Sequence, residues 1–265
     1  MRLMRDGVGL AVEEQGPREG GTAPPVLLVH GIPCDRRFLA PQLEHFAGTH
    51  RTVAVDLRGH GQSDAPEQEY TIEGFVEDLA WTCEQLALAR SVVIGHSLGG
   101  IVALGLAGAR PDLVGSVVAL DAVLAPPPER ATAMRTFLDQ LRAGDDMTLV
   151  QDYFGRFFGP VDDPTQRAWI LASMASTPRH VMLSTWENGF FGFDTVAAAA
   201  ACSAPLLYLD AGTPNADLAE LARACPSLVV GRAVGSGHFL QLEVPNQVNA
   251  MIERFLVLVA APTRR

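Results

Sequence analysis

The sequence predicts an α/β protein built on a doubly wound, mostly parallel sheet, with one helical insertion. Three observations support this. Short continuous apolar runs recur along the 265 residues, helical patterns lie between them, and the alternation stops only across residues 122–203. Continuous apolar runs suit strands buried on both faces, and strands joined through helices imply parallel βαβ units.

The chain opens with RLMRDGVGLAVEEQ, which alternates around Asp6-Gly7 in the pattern of a β-hairpin. A turn-rich connector, REGGTAPP (18–25), leads into VLLVHG (26–31), an apolar run that ends in glycine. RTVAVDLRG (51–59), SVVIG (91–95), SVVALD (116–121) and PLLYLD (205–210) repeat that pattern, and SLVVGRAV (227–234) is a weaker sixth case. Helical periodicity falls at 71–89, where Thr71 suits an N-cap, and at 98–109, 217–224 and 245–259. Between 122 and 203 no strand pattern stands out. Helix-like stretches lie near 129–142, 146–158, 164–176 and 179–190, opened by APPPER and rich in aromatic residues. The expected organisation is a core of residues 1–121 and 204–265, with residues 122–203 forming a helical lid over one edge of the sheet.

Composition narrows the function classes. The formal net charge of −10 repels phosphate backbones and anionic lipid, so neither nucleic acid nor a membrane surface is an expected partner. Cys34, Cys83, Cys202 and Cys225 show no C-x-x-C spacing and no nearby histidine pairs, which argues against a zinc site or a disulfide framework. MRLMRDGVGLAVEEQG carries Asp6, Glu13 and Glu14 and lacks an apolar stretch of signal-peptide length. No segment approaches the roughly 20 apolar residues of a membrane span. A cytoplasmic protein is the expectation.

One short stretch carries chemistry. VVIGHSLGG (92–100) sets Ser97 among glycines at the tip of a buried run, and a helical pattern follows at once. Gly95-His96-Ser97-Leu98-Gly99 matches G-x-S-x-G in a strand–turn–helix setting. Glycine loses much conformational freedom on folding and packs nothing, so such a cluster needs a geometric reason. A nucleophile on a sharp, strained turn supplies one, because only glycine lets strand and helix approach so closely. The helix N-terminus then helps to stabilise an anion at the reacting centre. A serine hydroxyl also needs an adjacent base, oriented by a third group. His238, in GSGHF (235–239) after the last apolar run, is the candidate base.

Together with HGIP (30–33) and DLRGHGQSD (56–64), these motifs resemble those of the α/β-hydrolase superfamily over essentially the whole chain. The resemblance implies Ser97 as nucleophile, His238 as base, and an oxyanion hole formed by the backbone N–H groups of Ile32 and Leu98. Such donors often stabilise the charge of the transition state by about 3–4 kcal/mol each. In most relatives the acid follows the strand that here reads PLLYLD, and that place falls on Thr213, Pro214 and Asn215, none of them acidic. Three substitutes stay open. Asp121 ends SVVALD, where some lipases and dehalogenases of the superfamily carry their acid, and is favoured. Asp210 ends PLLYLD, and Asp217 opens a helix.

Within the resemblance, Asp56, Arg58, His60, Ser63 and Asp64 belong to a structural loop. His30 is expected to orient the oxyanion loop, His96 to support the elbow, and Cys34 to pack. The implied reaction is acyl transfer from a carboxylic ester through an acyl-enzyme on Ser97, without metal or organic cofactor. Lactonase, thioesterase, C–C bond hydrolase and perhydrolase chemistry would use the same triad. A small-molecule receptor on the same fold is the non-enzymatic alternative. Epoxide hydrolases and haloalkane dehalogenases share the H-G-x-P loop but use aspartate as nucleophile, so Ser97 speaks against them. The aromatic lid suggests a hydrophobic or ring-bearing small substrate, and a lid of this kind is compatible with a homodimer.

Overall fold

In the computed structural model, which describes residues 1–18, 23–144, 148–161, 163–212 and 215–261, the apolar runs assemble into one eight-stranded sheet. Its strands are β1 (Arg2–Arg5), β2 (Val8–Gln15), β3 (Val26–Val29), β4 (Thr52–Val55), β5 (Ser91–His96), β6 (Val114–Leu120), β7 (Leu206–Asp210) and β8 (Leu228–Arg232). They lie in the order β1-β2-β4-β3-β5-β6-β7-β8. The first two form the predicted hairpin, whose turn residues Asp6 and Gly7 have φ of 49° and 83°, the paired positive values of a tight hairpin turn. The hairpin joins β4 in antiparallel fashion, and every later pairing is parallel.

The continuous apolar runs are explained by layers on both faces. On β3, Leu27 and Val29 enter one core, shared with Ile72, Phe75 and Leu79 of α2 (Ile72–Gln85) and Ile101 and Val102 of α3 (Leu98–Ala109). Val26 and Leu28 enter the other, against Leu43 and Phe46 of α1 (Ala40–Phe46) and Val248, Ile252 and Phe255 of the helix Pro245–Ala260. With side chains alternating along a strand, both sets must be apolar, hence no hydrophobic–polar alternation in the sequence. Truncating one such residue, Leu27→Ala for instance, would cost roughly 2–5 kcal/mol.

Chain order then fixes where a site forms. From β3 the chain moves outward to β4, crosses back to β5, and continues through β6, β7 and β8 on the other side. The loops after β3 and β5 therefore diverge, leaving a crevice at the strands' carboxyl ends, where ligands of open α/β sheets bind.

Between β6 and β7 the described residues form α4 (Pro128–Ala143), α5 (Thr148–Phe154), α6 (Pro164–Met174), α7 (Arg179–Ser184), a π-helical turn (Thr185–Phe190) and α8 (Thr195–Ala201), with no strand among them. Aromatic rings knit this insertion together. Phe137 stacks on Tyr153 with ring centres 4.0 Å apart and lies 4.8 Å from Trp186, which in turn meets Phe190 at 4.9 Å. The last helix belongs elsewhere: Ala198 and Ala201 of α8 face Gly108 of α3, placing α8 on the sheet layer. Two helices complete the chain after β7: α9 (Leu218–Ala224) and, beyond β8, α10 (Leu240–Glu243) running into α11 (Pro245–Ala260).

Three differences from the sequence reading stand out. RTVAVDLRG is a strand only over Thr52–Val55, because Asp56 onward is pulled into a loop by side-chain bonds. The short helices α1 and α10 have too few turns to show periodicity, and α8 reads only as an alanine run. Among the described residues no helix is long and apolar enough to cross a membrane.

Candidate active site

Strand β5 delivers Ser97 straight into α3. At that turn Ser97 adopts φ 52°, ψ −116°, a conformation that costs an L-residue roughly 1–3 kcal/mol. The flanking glycines make it possible: a methyl group on Gly95 would run into the Gly99 carbonyl, and one on Gly99 into the Val29 carbonyl. The Ser97 N–H donates to Leu120 O at 2.9 Å and its carbonyl accepts Gly100 N–H at 3.0 Å, tying the turn to β6 and α3. Ser97 is 4% exposed.

The loop after β3 closes against this turn, so that a β-carbon on Gly31 would sit 2.9 Å from Ser97 Cβ. His30 fixes the loop. Its Nε2 accepts the Leu57 N–H at 3.0 Å, which leaves Nδ1–H to donate to Gly31 O at 2.8 Å. Burial lowers the His30 pKa and so favours this neutral form. Cys34 N–H donates to the same carbonyl at 2.9 Å, and burial pushes its thiol pKa well up. Ile32 and Leu98 are buried in the two facing turns, and their N–H groups find no acceptor among the described residues.

The loop after β8 carries His238, and here the three candidate acids separate. Asp121 Oδ2 accepts from His238 Nδ1 at 2.6 Å, both side chains being buried. Asp121 reaches it because its backbone, just past β6, turns to φ 44° while its N–H still pairs with Leu209 O at 2.7 Å. Asp210 instead accepts from Arg232 Nε at 2.8 Å and from Gly212 N–H at 2.6 Å, on the β8 side of the sheet. Asp217 caps α9, taking the N–H groups of Ala219 and Glu220 at 3.0 and 2.9 Å. Of the usual acid position, Thr213 and Pro214 lie outside the described residues. Asn215 donates to Asp121 Oδ2 at 2.7 Å, so an amide on the β7 loop holds a carboxylate on the β6 loop.

His238 is gripped through its backbone. Its carbonyl accepts His96 Nε2–H at 2.8 Å, and its N–H donates to Phe157 O of the insertion at 2.6 Å. Burial and the neighbouring His238 keep the His96 pKa well below its ordinary value, in keeping with a neutral donor. Glu243 completes the grip. Its Oε2 takes the N–H groups of Gly159 and Gly237, each at 2.9 Å, and its Oε1 that of Phe239 at 3.3 Å. The sequence reading did not single out Asn215, Phe157 or Glu243 as contributors: Asn215 and Phe157 lie 94 and 81 residues along the chain from the groups they hold, and Glu243, though close to Gly237 and Phe239 in sequence, is tied to Gly159 only through space.

The DLRGHGQSD residues serve the scaffold. Asp56 pairs with Arg36 and accepts Gln62 N–H, Ser63 Oγ–H donates to Asp56 O, and Asp64 pairs with Arg2. Arg58 binds Asp78 of α2 at 2.8 Å, and burial drives the His60 pKa down to about 3. A cavity of about 650 Å³ is lined by Asp121 and His238 together with Phe157 and Phe158 of the insertion. This volume suits a small-molecule ligand.

Comparison with known proteins identifies the family. Residues 24–245 match the family described as alpha/beta hydrolase fold. The chain is 28% identical over 263 residues to 2-(acetamidomethylene)succinate hydrolase of Mesorhizobium japonicum, covering 90% of each chain. The enol-lactonase from Burkholderia xenovorans LB400 superposes with a TM-score of 0.83 at 24% identity, over 97% of this chain and 100% of that one. A thermophilic esterase from Thermogutta terrifontis gives 0.80 at 26% identity, over 98% and 100%. The chain belongs to the α/β-hydrolase fold family and is an enzyme of the hydrolase type.

Proposed function

We propose that this hydrolase cleaves a carboxylic ester of a hydrophobic small molecule through an acyl-enzyme on Ser97, with His238 as base and Asp121 as the acid. The observation that carries the reading is the 2.6 Å bond from His238 Nδ1 to Asp121, made by an imidazole whose ring centre lies 4.6 Å from that of His96, the residue before Ser97 on the strained elbow. Asp121 fixes the imidazole with Nδ1 protonated, which frees Nε2 to take the Ser97 proton as its Oγ attacks the ester carbonyl. The negative charge that develops on the carbonyl oxygen is received by the unengaged N–H groups of Ile32 and Leu98. His238 returns the proton to the leaving alcohol, then removes one from water as the acyl-enzyme is hydrolysed. The aromatic wall of Phe157 and Phe158 supports an apolar part in the substrate. The Mesorhizobium relative is named for a succinate derivative, so acidic esters belong in a substrate panel beside neutral ones.

Intact-mass analysis after fluorophosphonate treatment, with Ser97→Ala as control, tests the reading. A single adduct absent from the control supports an activated Ser97, and an ester, lactone and thioester panel then identifies the bond cleaved. A folded protein that takes no adduct and turns over no acyl substrate would refute it.

A further inference from the structure

We infer that the cavity beside His238 receives a carboxylate of the substrate, bound by Arg130 and Arg156. The inference rests on the ester-hydrolase reading and names an acidic group at one end of the substrate.

Both arginines line the same cavity as Asp121 and His238. Among the described residues, neither pairs with a carboxylate, although the chain carries 30 acidic groups against 20 basic ones. Two guanidinium groups left without a carboxylate beside the proposed base His238 are donors for an arriving anion. Arg130 is the better placed. Its Nη1–H donates to Tyr153 Oη at 3.1 Å and its guanidinium lies 5.0 Å from the centre of the Phe157 ring, which fixes the side chain in one orientation. Its Nε–H is buried and has no acceptor. A buried, unused donor on a charged group is costly, and a carboxylate oxygen would satisfy it.

The location suits a substrate group as opposed to a remote ion site. The same Phe157 ring that carries Arg130 lies 6.0 Å from the His238 imidazole, ring centre to ring centre. Two acidic side chains also line the cavity. Asp121 is already engaged by His238 and Asn215, and Glu129 is exposed in the first turn of α4 and reaches neither arginine. A planar guanidinium fork matches a carboxylate in two-point fashion, which a neutral ester cannot exploit.

The test compares 4-nitrophenyl hemisuccinate with neutral 4-nitrophenyl butyrate, and titrates succinate into the enzyme by calorimetry. In Arg130→Gln the ratio of kcat/KM for the acidic over the neutral ester should fall about tenfold or more, and succinate binding should weaken correspondingly. Arg130→Lys should fall between, keeping the charge without the fork. Arg142→Gln, on α4 and paired with Glu187 away from the cavity, should leave the ratio as it is. An unchanged ratio in folded Arg130→Gln, or no succinate binding to the unmodified enzyme, would overturn the inference. If neither ester is turned over and no fluorophosphonate adduct forms, the hydrolase reading fails, while succinate binding lost in Arg130→Gln would still establish the anion site.

Discussion

Asp121→Asn is the most informative single perturbation, because two donors converge on one oxygen. Asp121 Oδ2 accepts both His238 Nδ1–H and Asn215 Nδ2–H, while Oδ1 is buried with no partner. The amide can keep both hydrogen bonds by placing its oxygen where Oδ2 was, so that the imidazole stays in position and mainly the charge is lost. With carboxylate and imidazolium charges about 4 Å apart in an effective dielectric of about 20, that charge is worth about 4 kcal/mol in the transition state. This corresponds to about a thousandfold in kcat. If the amide flips, its NH₂ faces two donors and forces the wrong imidazole tautomer, with a loss nearer 10⁴-fold. The assay is steady-state hydrolysis of a neutral 4-nitrophenyl ester, with Tm measured alongside to show folding. Asp210→Asn is the companion variant: it loses a bond to half-exposed Arg232 and should keep its kcat within about twofold. Near-normal kcat in Asp121→Asn, with a collapse in Asp210→Asn, would refute the assignment of the acid.

Glu243→Ala removes the acceptor shared by Gly159, Gly237 and Phe239, loosening the backbone on both sides of His238. The expected result is a kcat lower by about tenfold, with KM changed much less and partial recovery in Glu243→Gln; a KM effect alone would mean the contact is only structural. Gly99→Ala forces a methyl against the Val29 carbonyl, so the elbow cannot close. Fluorophosphonate labelling should disappear and Tm should drop by several degrees, and wild-type labelling would contradict the packing argument. Stability should also fall in mild acid. Burial holds the His60 pKa at about 3 in the folded chain and lowers those of His30 and His96, whereas the unfolded chain takes up protons near pH 6.5. Below that pH the unfolded state binds more protons, so His60 alone removes about 1.4 kcal/mol per pH unit, while above it the effect vanishes. Urea midpoints measured from pH 7.5 to 5 check this, and a flat profile would count against it.

The sequence by itself determined the layered sheet and two of the three proposed catalytic positions. Apolar runs and helical periods are local patterns, and burial on both faces leaves a run such as VLLVHG no other economical use. The elbow is likewise local, since strand, Ser97, glycines and helix are contiguous, and His238 is marked by the glycines beside it. The short α1 and α10 escaped because a helix of one or two turns has no period to detect. Only the tertiary structure shows which of the candidate acids bonds His238. Asp121, Asp210 and Asp217 all stand at the ends of core elements, and nothing in their sequence neighbourhoods ranks them by distance to His238. The choice depends on a left-handed backbone turn at Asp121 and on Asn215 reaching across from the next loop, which are relations through space. The same holds for Arg130. Its place beside the cavity that His238 lines follows from the packing of α4 within the helical insertion, because an unpaired charge can be recognised only once every neighbour is in position.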